Sequence, residues 1–162
     1  MPYSDDQLDM ARTFIARAER TGRMVATAES CTGGGLAALL TELPGSSALL
    51  ERGFVTYSNE AKAQMLGVPT ELIEDKGAVS AEVAEAMARG ALEHSRAHVA
   101  VSITGIAGPG GGSAEKPVGL VYLAVMERDG EPLVEAHRFT GSRAEVRRAS
   151  VSAALHLIER FL

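Results

Sequence analysis

Three short, largely apolar runs constrain this chain most, because each ends at or just before a hydroxyl-bearing residue and passes at once into turn or helix formers. They are Met24-Val25-Ala26-Thr27-Ala28, leading into Ser30; Gly53-Phe54-Val55-Thr56-Tyr57; and His98-Val99-Ala100-Val101-Ser102-Ile103-Thr104. An apolar run without polar alternation is the pattern of a strand covered on both faces. The segments between them read as helices. Ser4 with Gln7 forms a capping box ahead of Leu8, Ala11, Phe14, Ile15 and Ala18 on one helical face, and Gly22 ends that helix. Helix is expected from Gly33 through Leu43, where Pro44-Gly45 stops it, and from a cap at Ser58 or Asn59 through Leu66. A polar segment with Pro69 and Gly77 follows. Ser80, with Glu82 and Glu85, then opens a long helix whose stripe is Val83, Ala84, Met87, Ala88 and Ala91. Asp129-Gly130 between Val118–Met126 and Pro132–Thr140 predicts a hairpin, and a second capping box, Ser142 with Glu145, opens a last helix reaching Phe161. There is no internal repeat or linker. The expectation is one α/β domain over residues 1–162, a three-layer αβα sandwich with a mixed, largely parallel sheet and a C-terminal β-hairpin plus helix.

Composition narrows the partners. With 162 residues, 46% hydrophobic and 23% charged, the chain can bury a conventional core. A net charge of -5 and the absence of Trp argue against phosphate-backbone binding and aromatic base stacking, so no nucleic-acid partner is expected. The single cysteine, Cys31, excludes an intramolecular disulfide and fits a reducing compartment. Met1-Pro2-Tyr3-Ser4-Asp5-Asp6 lacks the build of a secretion signal, and no apolar run approaches a membrane span, so a cytoplasmic protein without a membrane partner is expected. An apolar hairpin edge and an Ala-rich helix are compatible with a homo-oligomer but identify no interface.

In open sheets of this kind ligands sit beyond the carboxyl ends of the parallel strands, where Ser30, Tyr57 and Thr104 are all expected. Ser30 lies in Ala28-Glu29-Ser30-Cys31-Thr32-Gly33-Gly34. A serine between a buried strand and a helix stands near unpaired N–H groups able to hold an oxyanion. Ser30 or Thr32 acting as a helix cap accounts for the same residues equally well. No Gly-x-Ser-x-Gly elbow or Ser-His-Asp spacing is present, so a base must come from elsewhere. Lys62, in the first turn of a helix, and Tyr57, at a strand end, are the candidates; the positive end of the helix dipole is expected to lower the lysine pKa. A solvated lysine and a half-core tyrosine fit the same spacing. Cys31 is an alternative nucleophile, its pKa expected to fall at a helix start. Cys31, Thr32, Gly33 and Gly34 are expected around the substrate. So is the glycine-rich stretch from Thr104 and Gly105 through Gly108 to Gly112, whose N–H groups suit an anion, with Lys116 or Arg143 supplying positive charge; a flexible surface excursion and solvated side chains fit the same residues. The four histidines show no metal-ligand spacing, and no metal site is expected.

Thr27 through Gly34, Gly53 through Lys62, Gly77 through Ser80, Ile103 through Pro109 and Glu115 through Gly119 resemble, in order, the motifs of the carboxyl-terminal domain of the CinA family, the competence/damage-inducible proteins. The resemblance covers nearly the whole chain. Stand-alone members are nicotinamide-nucleotide amidases. The resemblance therefore implies hydrolysis of the carboxamide of nicotinamide mononucleotide to nicotinate mononucleotide and ammonia, in pyridine nucleotide recycling and without a cofactor. It implies Ser30 as nucleophile, Tyr57 and Lys62 as its partners, and Thr104 and Arg143 in catalysis or substrate binding. Two-domain relatives carry an amino-terminal pyrophosphatase domain that this sequence lacks, so that activity is not expected. Two other classes compete. A catalytically silent nucleotide-binding module would keep the fold without turnover. A short-chain dehydrogenase would place its tyrosine and lysine three residues apart behind a dinucleotide fingerprint, which is missing here.

Overall fold

A computed structural model describes residues 3–162; Met1 and Pro2, which open the segment read against a secretion signal, lie outside the described residues. In chain order the elements are α1 (Asp5–Thr21), β1 (Val25–Glu29), α2 (Gly35–Leu40), β2 (Leu50–Val55), α3 (Asn59–Leu66), α4 (Thr70–Lys76), α5 (Ala81–Glu93), β3 (Val99–Gly105), β4 (Leu120–Glu127), β5 (Leu133–Arg138) and α6 (Arg143–Glu159). The sheet runs β2-β1-β3-β4-β5. β1 pairs in parallel with β2 and β3, while β4 is antiparallel to both β3 and β5. Helices α1, α2 and α6 cover one face, and α3, α4 and α5 the other. This is the expected mixed three-layer α/β sandwich with a C-terminal hairpin and helix. Among the described residues no helix is long and apolar enough to cross a membrane.

The period of two along each strand sorts side chains by size between the faces. Val25, Val99, Val101, Ile103, Val121, Leu123 and Val125 point into the cluster beneath α1, α2 and α6. Ala26, Ala28, Ala100 and Ala124 meet α5, itself lined with Ala84, Ala88 and Ala91. Small residues on both surfaces bring α5 close to the sheet, and Ser102 on β3 donates its hydroxyl to the Ala84 carbonyl at 2.6 Å. Gly90 continues this on the outer side of α5, because a Cβ there would stand 2.0 Å from the Leu66 carbonyl oxygen of α3. The helix carrying Lys62 is thereby seated directly on α5.

Both capping boxes form as expected, Ser4 with Gln7 and Ser142 with Glu145. Elsewhere the boundaries move for identifiable reasons. α2 spans Gly35–Leu40, and it begins only at Gly35 because Gly33 and Gly34 stand at φ 60° and 95°, outside the helical region. β2 occupies Leu50–Val55, earlier than the apolar run suggests. It is an edge strand with β1 as its one neighbour, and its charged Glu51 and Arg52 suit an edge while hiding it from an apolar reading. The polar segment after Leu66 contains α4, which buries only Ile73 and so shows little apolar periodicity.

Candidate active site

β1 and β3 run side by side at the centre of the sheet and deliver Ser30 and Thr104 to the same edge. The Ser30 N–H donates to the Ile103 carbonyl at 2.9 Å, so parallel pairing continues one residue beyond β1. Thr56 does likewise after β2, its N–H reaching the Glu29 carbonyl at 2.9 Å. Between these strand ends lies a cleft of about 280 Å³ lined by Ser30, Cys31, Tyr57, Lys62, Thr104, Gly105, Gly108 and Arg143, among others. Five stretches far apart in sequence meet there, the fifth being Ala78 and Val79.

Lys62 enters from beneath. Its side chain is 1% exposed, and Nζ lies 3.1 Å from Ser30 Oγ and 3.0 Å from the Thr56 carbonyl oxygen. Both groups are neutral hydrogen-bond partners, and among the described residues no carboxylate pairs with the amine to hold it charged. Burial therefore lowers its pKa from the ordinary lysine value, a larger effect than the opposing one of the Cys31 sulfur. The lowering is in the expected direction, and its largest cause is loss of hydration.

Two successive tight turns carry the chain from β1 into α2. The Gly33 N–H donates to the Ser30 carbonyl at 3.0 Å, and the Gly35 N–H donates to the Thr32 carbonyl at 3.0 Å. The second turn has Gly33 and Gly34 at its corners, both at positive φ, a geometry that side-chain-bearing residues resist. Neither Ser30 nor Thr32 caps α2. That work falls to the fully buried Glu29, whose carboxylate accepts from the N–H groups of Leu36 at 2.9 Å and Ala37 at 3.0 Å and from the Thr32 hydroxyl at 2.7 Å. With the helix end satisfied, Ser30 is left free for other chemistry. On the opposite side Arg147, from the second turn of α6, donates through Nε to the Cys31 carbonyl at 3.2 Å and through Nη2 to the Thr32 carbonyl at 3.0 Å. Neither Glu29 nor Arg147 is among the residues expected at the site from the sequence. Their visible signals were an acidic residue directly before a turn into a helix, and an arginine four residues beyond Arg143.

The remaining expected residues divide. Arg143 spans the cleft mouth, donating to the Tyr57 hydroxyl at 2.8 Å and to the Gly108 carbonyl at 2.9 Å. Tyr57 is 59% exposed, and its hydroxyl is hydrogen-bonded to neither Ser30 nor Lys62. Thr104 lines the cleft while donating its hydroxyl to the Ala78 carbonyl at 2.8 Å. Thr32, Gly33 and Gly34 shape the turn without lining the cleft. Lys116 also stays outside it, its amine bound at 2.6 Å to the Lys76 carbonyl. Cys31 is buried, and burial pushes its thiol up to about 11, the reverse of the fall expected at a helix start. An unionised thiol is a poor nucleophile.

Fold and site together define an α/β protein with a buried serine–lysine pair at the carboxyl edge of its parallel strands. A family model described as the CinA C-terminal domain matches residues 7–162. The chain belongs to that family. A CinA-like protein from Mycobacterium marinum is 54% identical over 162 residues, covering 99% of this chain and 37% of its own length. One from Mycobacterium tuberculosis is 54% identical over 142 residues, covering 88% of this chain and 33% of its own. The chain thus spans about a third of the length of these curated relatives. Among solved structures, the competence/damage inducible protein CihA from Agrobacterium tumefaciens superposes with a TM-score of 0.96 at 52% identity, covering 99% of this chain and 98% of that one. A CinA superfamily protein from Escherichia coli gives 0.91 at 32% identity, covering 100% and 95%.

Proposed function

We propose that this domain is a serine amidohydrolase that cleaves the carboxamide of nicotinamide mononucleotide, yielding nicotinate mononucleotide and ammonia in cytoplasmic recycling of the pyridine ring. The observation that carries this reading is the buried Lys62 amine 3.1 Å from Ser30 Oγ, its pKa lowered by burial. In its neutral form the amine donates to the Thr56 carbonyl and accepts the Ser30 hydroxyl proton on its lone pair. Ser30 Oγ attacks the amide carbon, and the backbone N–H of the residue after it, Cys31, faces the developing oxyanion. The proton held by Lys62 passes to the leaving nitrogen, ammonia departs, and an acyl-enzyme remains. Water then takes the place of ammonia and gives a proton to Lys62 as its oxygen attacks the acyl carbon; the bond to Ser30 Oγ breaks, Lys62 returns the proton to that oxygen, and the acid is released. Arg143 and the loop from Gly105 through Gly108 anchor the phosphate. A guanidinium carries more donors than those spent on Tyr57 and Gly108, and Arg143 remains exposed. Tyr57, tethered to Arg143, closes the side of the ring pocket.

The test is ammonia release from the mononucleotide, the riboside and free nicotinamide. The mononucleotide should react fastest, and Ser30→Ala should lower its rate on the order of 10⁴-fold. Wild-type ammonia release by that variant would end the covalent mechanism. Equal rates on all three amides would remove the phosphate anchor.

A further inference from the structure

Arg147 touches neither Ser30 nor Lys62 and is not among the residues lining the cleft, yet its guanidinium is committed to two carbonyl groups of the nucleophile turn. A peptide group is planar with its C=O and N–H pointing in opposite directions, so a donor fixed on the carbonyl orients the N–H of the next residue. The Thr32 carbonyl that accepts from Arg147 shares its peptide with the Gly33 N–H, and that N–H donates to the Ser30 carbonyl at 3.0 Å. The Ser30 carbonyl shares its peptide with the Cys31 N–H. Among the described residues, the Cys31 N–H donates to no other residue and faces only its own thiol sulfur. A continuous path therefore runs from the guanidinium through two peptide groups and ends on the Cys31 N–H, the backbone donor that follows Ser30 in the chain. Hydrogen bonds in such a chain polarise one another, each by roughly 10–30%. A fixed positive charge at the head of the path strengthens the donor at its tail.

We infer that Arg147 is a positioning residue for the oxyanion site, orienting and polarising the Cys31 N–H through the Thr32 and Ser30 carbonyls. Its second contact, to the Cys31 carbonyl, fixes the peptide between Cys31 and Thr32 in the same frame. Glu29 holds the turn from the other side through the Thr32 hydroxyl, so the turn is clamped between a carboxylate and a guanidinium. The inference rests on Ser30 being the nucleophile proposed above, but not on the identity of the amide.

The experiment uses a small alkyl fluorophosphonate, whose reaction demands the same oxyanion stabilisation. Ser30 Oγ bonds to phosphorus, the P–F bond breaks, fluoride leaves, and the hydroxyl proton passes to Lys62. Labelling of Ser30 is followed by intact mass in the wild type, Arg147→Met and Arg147→Lys, together with the pH dependence of the rate and the melting temperature. Loss of a directly acting oxyanion donor costs about 10²–10³-fold, and weakening one through a relay should cost Arg147→Met roughly 10–100-fold. The acid limb of the pH profile should not move, because Lys62 sets it. Lysine keeps the charge but reaches one carbonyl, so Arg147→Lys should recover part of the rate. A wild-type rate in Arg147→Met, or in Arg147→Lys should the methionine variant not fold, overturns the inference. So does a loss equal in both folded variants, or a wild-type Ser30 inert to the reagent. Wild-type labelling at Ser30 without ammonia release from nicotinamide mononucleotide would remove the proposed substrate while leaving the inference standing.

Discussion

At the scale of single residues, Lys62 decides what the cleft can do. A lysine amine surrounded by carbonyl and hydroxyl dipoles, with no carboxylate beside it, is held away from its charged form. Its folded pKa is lowered from 10.5, so between that lowered value and 10.5 the unfolded chain binds more protons than the folded one. Below that window both states are protonated and the penalty of burying the ammonium is present in full; as pH rises through the window, the folded state gains stability. Lys62→Met removes the ionisable group while keeping an unbranched side chain. The stability of the wild type relative to Lys62→Met should therefore increase from pH 7 to 10, followed by urea midpoints. A flat difference would mean that Lys62 titrates as it does in water. Activity should show an acid limb below the ordinary lysine range, and Lys62→Met should reduce turnover by about 10²–10⁴-fold.

Among elements, the pairing of α3 with α5 sets the reach of that amine. Gly90 lets the two helices touch at Leu66, one turn beyond Lys62 on α3. Alanine there improves helix propensity by about 1 kcal/mol, but its Cβ meets backbone, and relieving such overpacking typically costs about 1–3 kcal/mol. Gly90→Ala should lower the melting temperature and also move α3 outward. A displacement of about 1 Å at reacting groups can cost roughly 10²-fold, so the loss in ammonia release should exceed any loss of folded protein at the assay temperature. An active, destabilised Gly90→Ala would show that α3 does not position Lys62. The capping boxes of α1 and α6 were legible because each repeats a local pairing three residues apart. α4 was not, since a helix burying one side chain leaves almost no periodic signal.

Across the whole molecule, β1 is flanked on both sides and covered on both faces, whereas β2 and β5 form the sheet edges. Amides of β1 and β3 should be the slowest to exchange with deuterium and those of β2 the fastest among the parallel strands, measured by peptide-resolved hydrogen exchange. Equal protection across β2 would indicate that something covers that edge. The cleft opens where the parallel strands end, so its location followed from strand direction alone. Apolar runs, period-two alternation and caps are local patterns, and from them the sequence determined the α/β layers, the hairpin, and Ser30 at a strand end. Only the tertiary structure decided that Lys62, 32 residues away, reaches Ser30, that Glu29 rather than a hydroxyl caps α2, and that Arg147 holds the turn from 116 residues beyond Cys31. Such contacts depend on where helices settle against the sheet. That placement follows from side-chain volumes summed over both faces, which no short window of sequence contains.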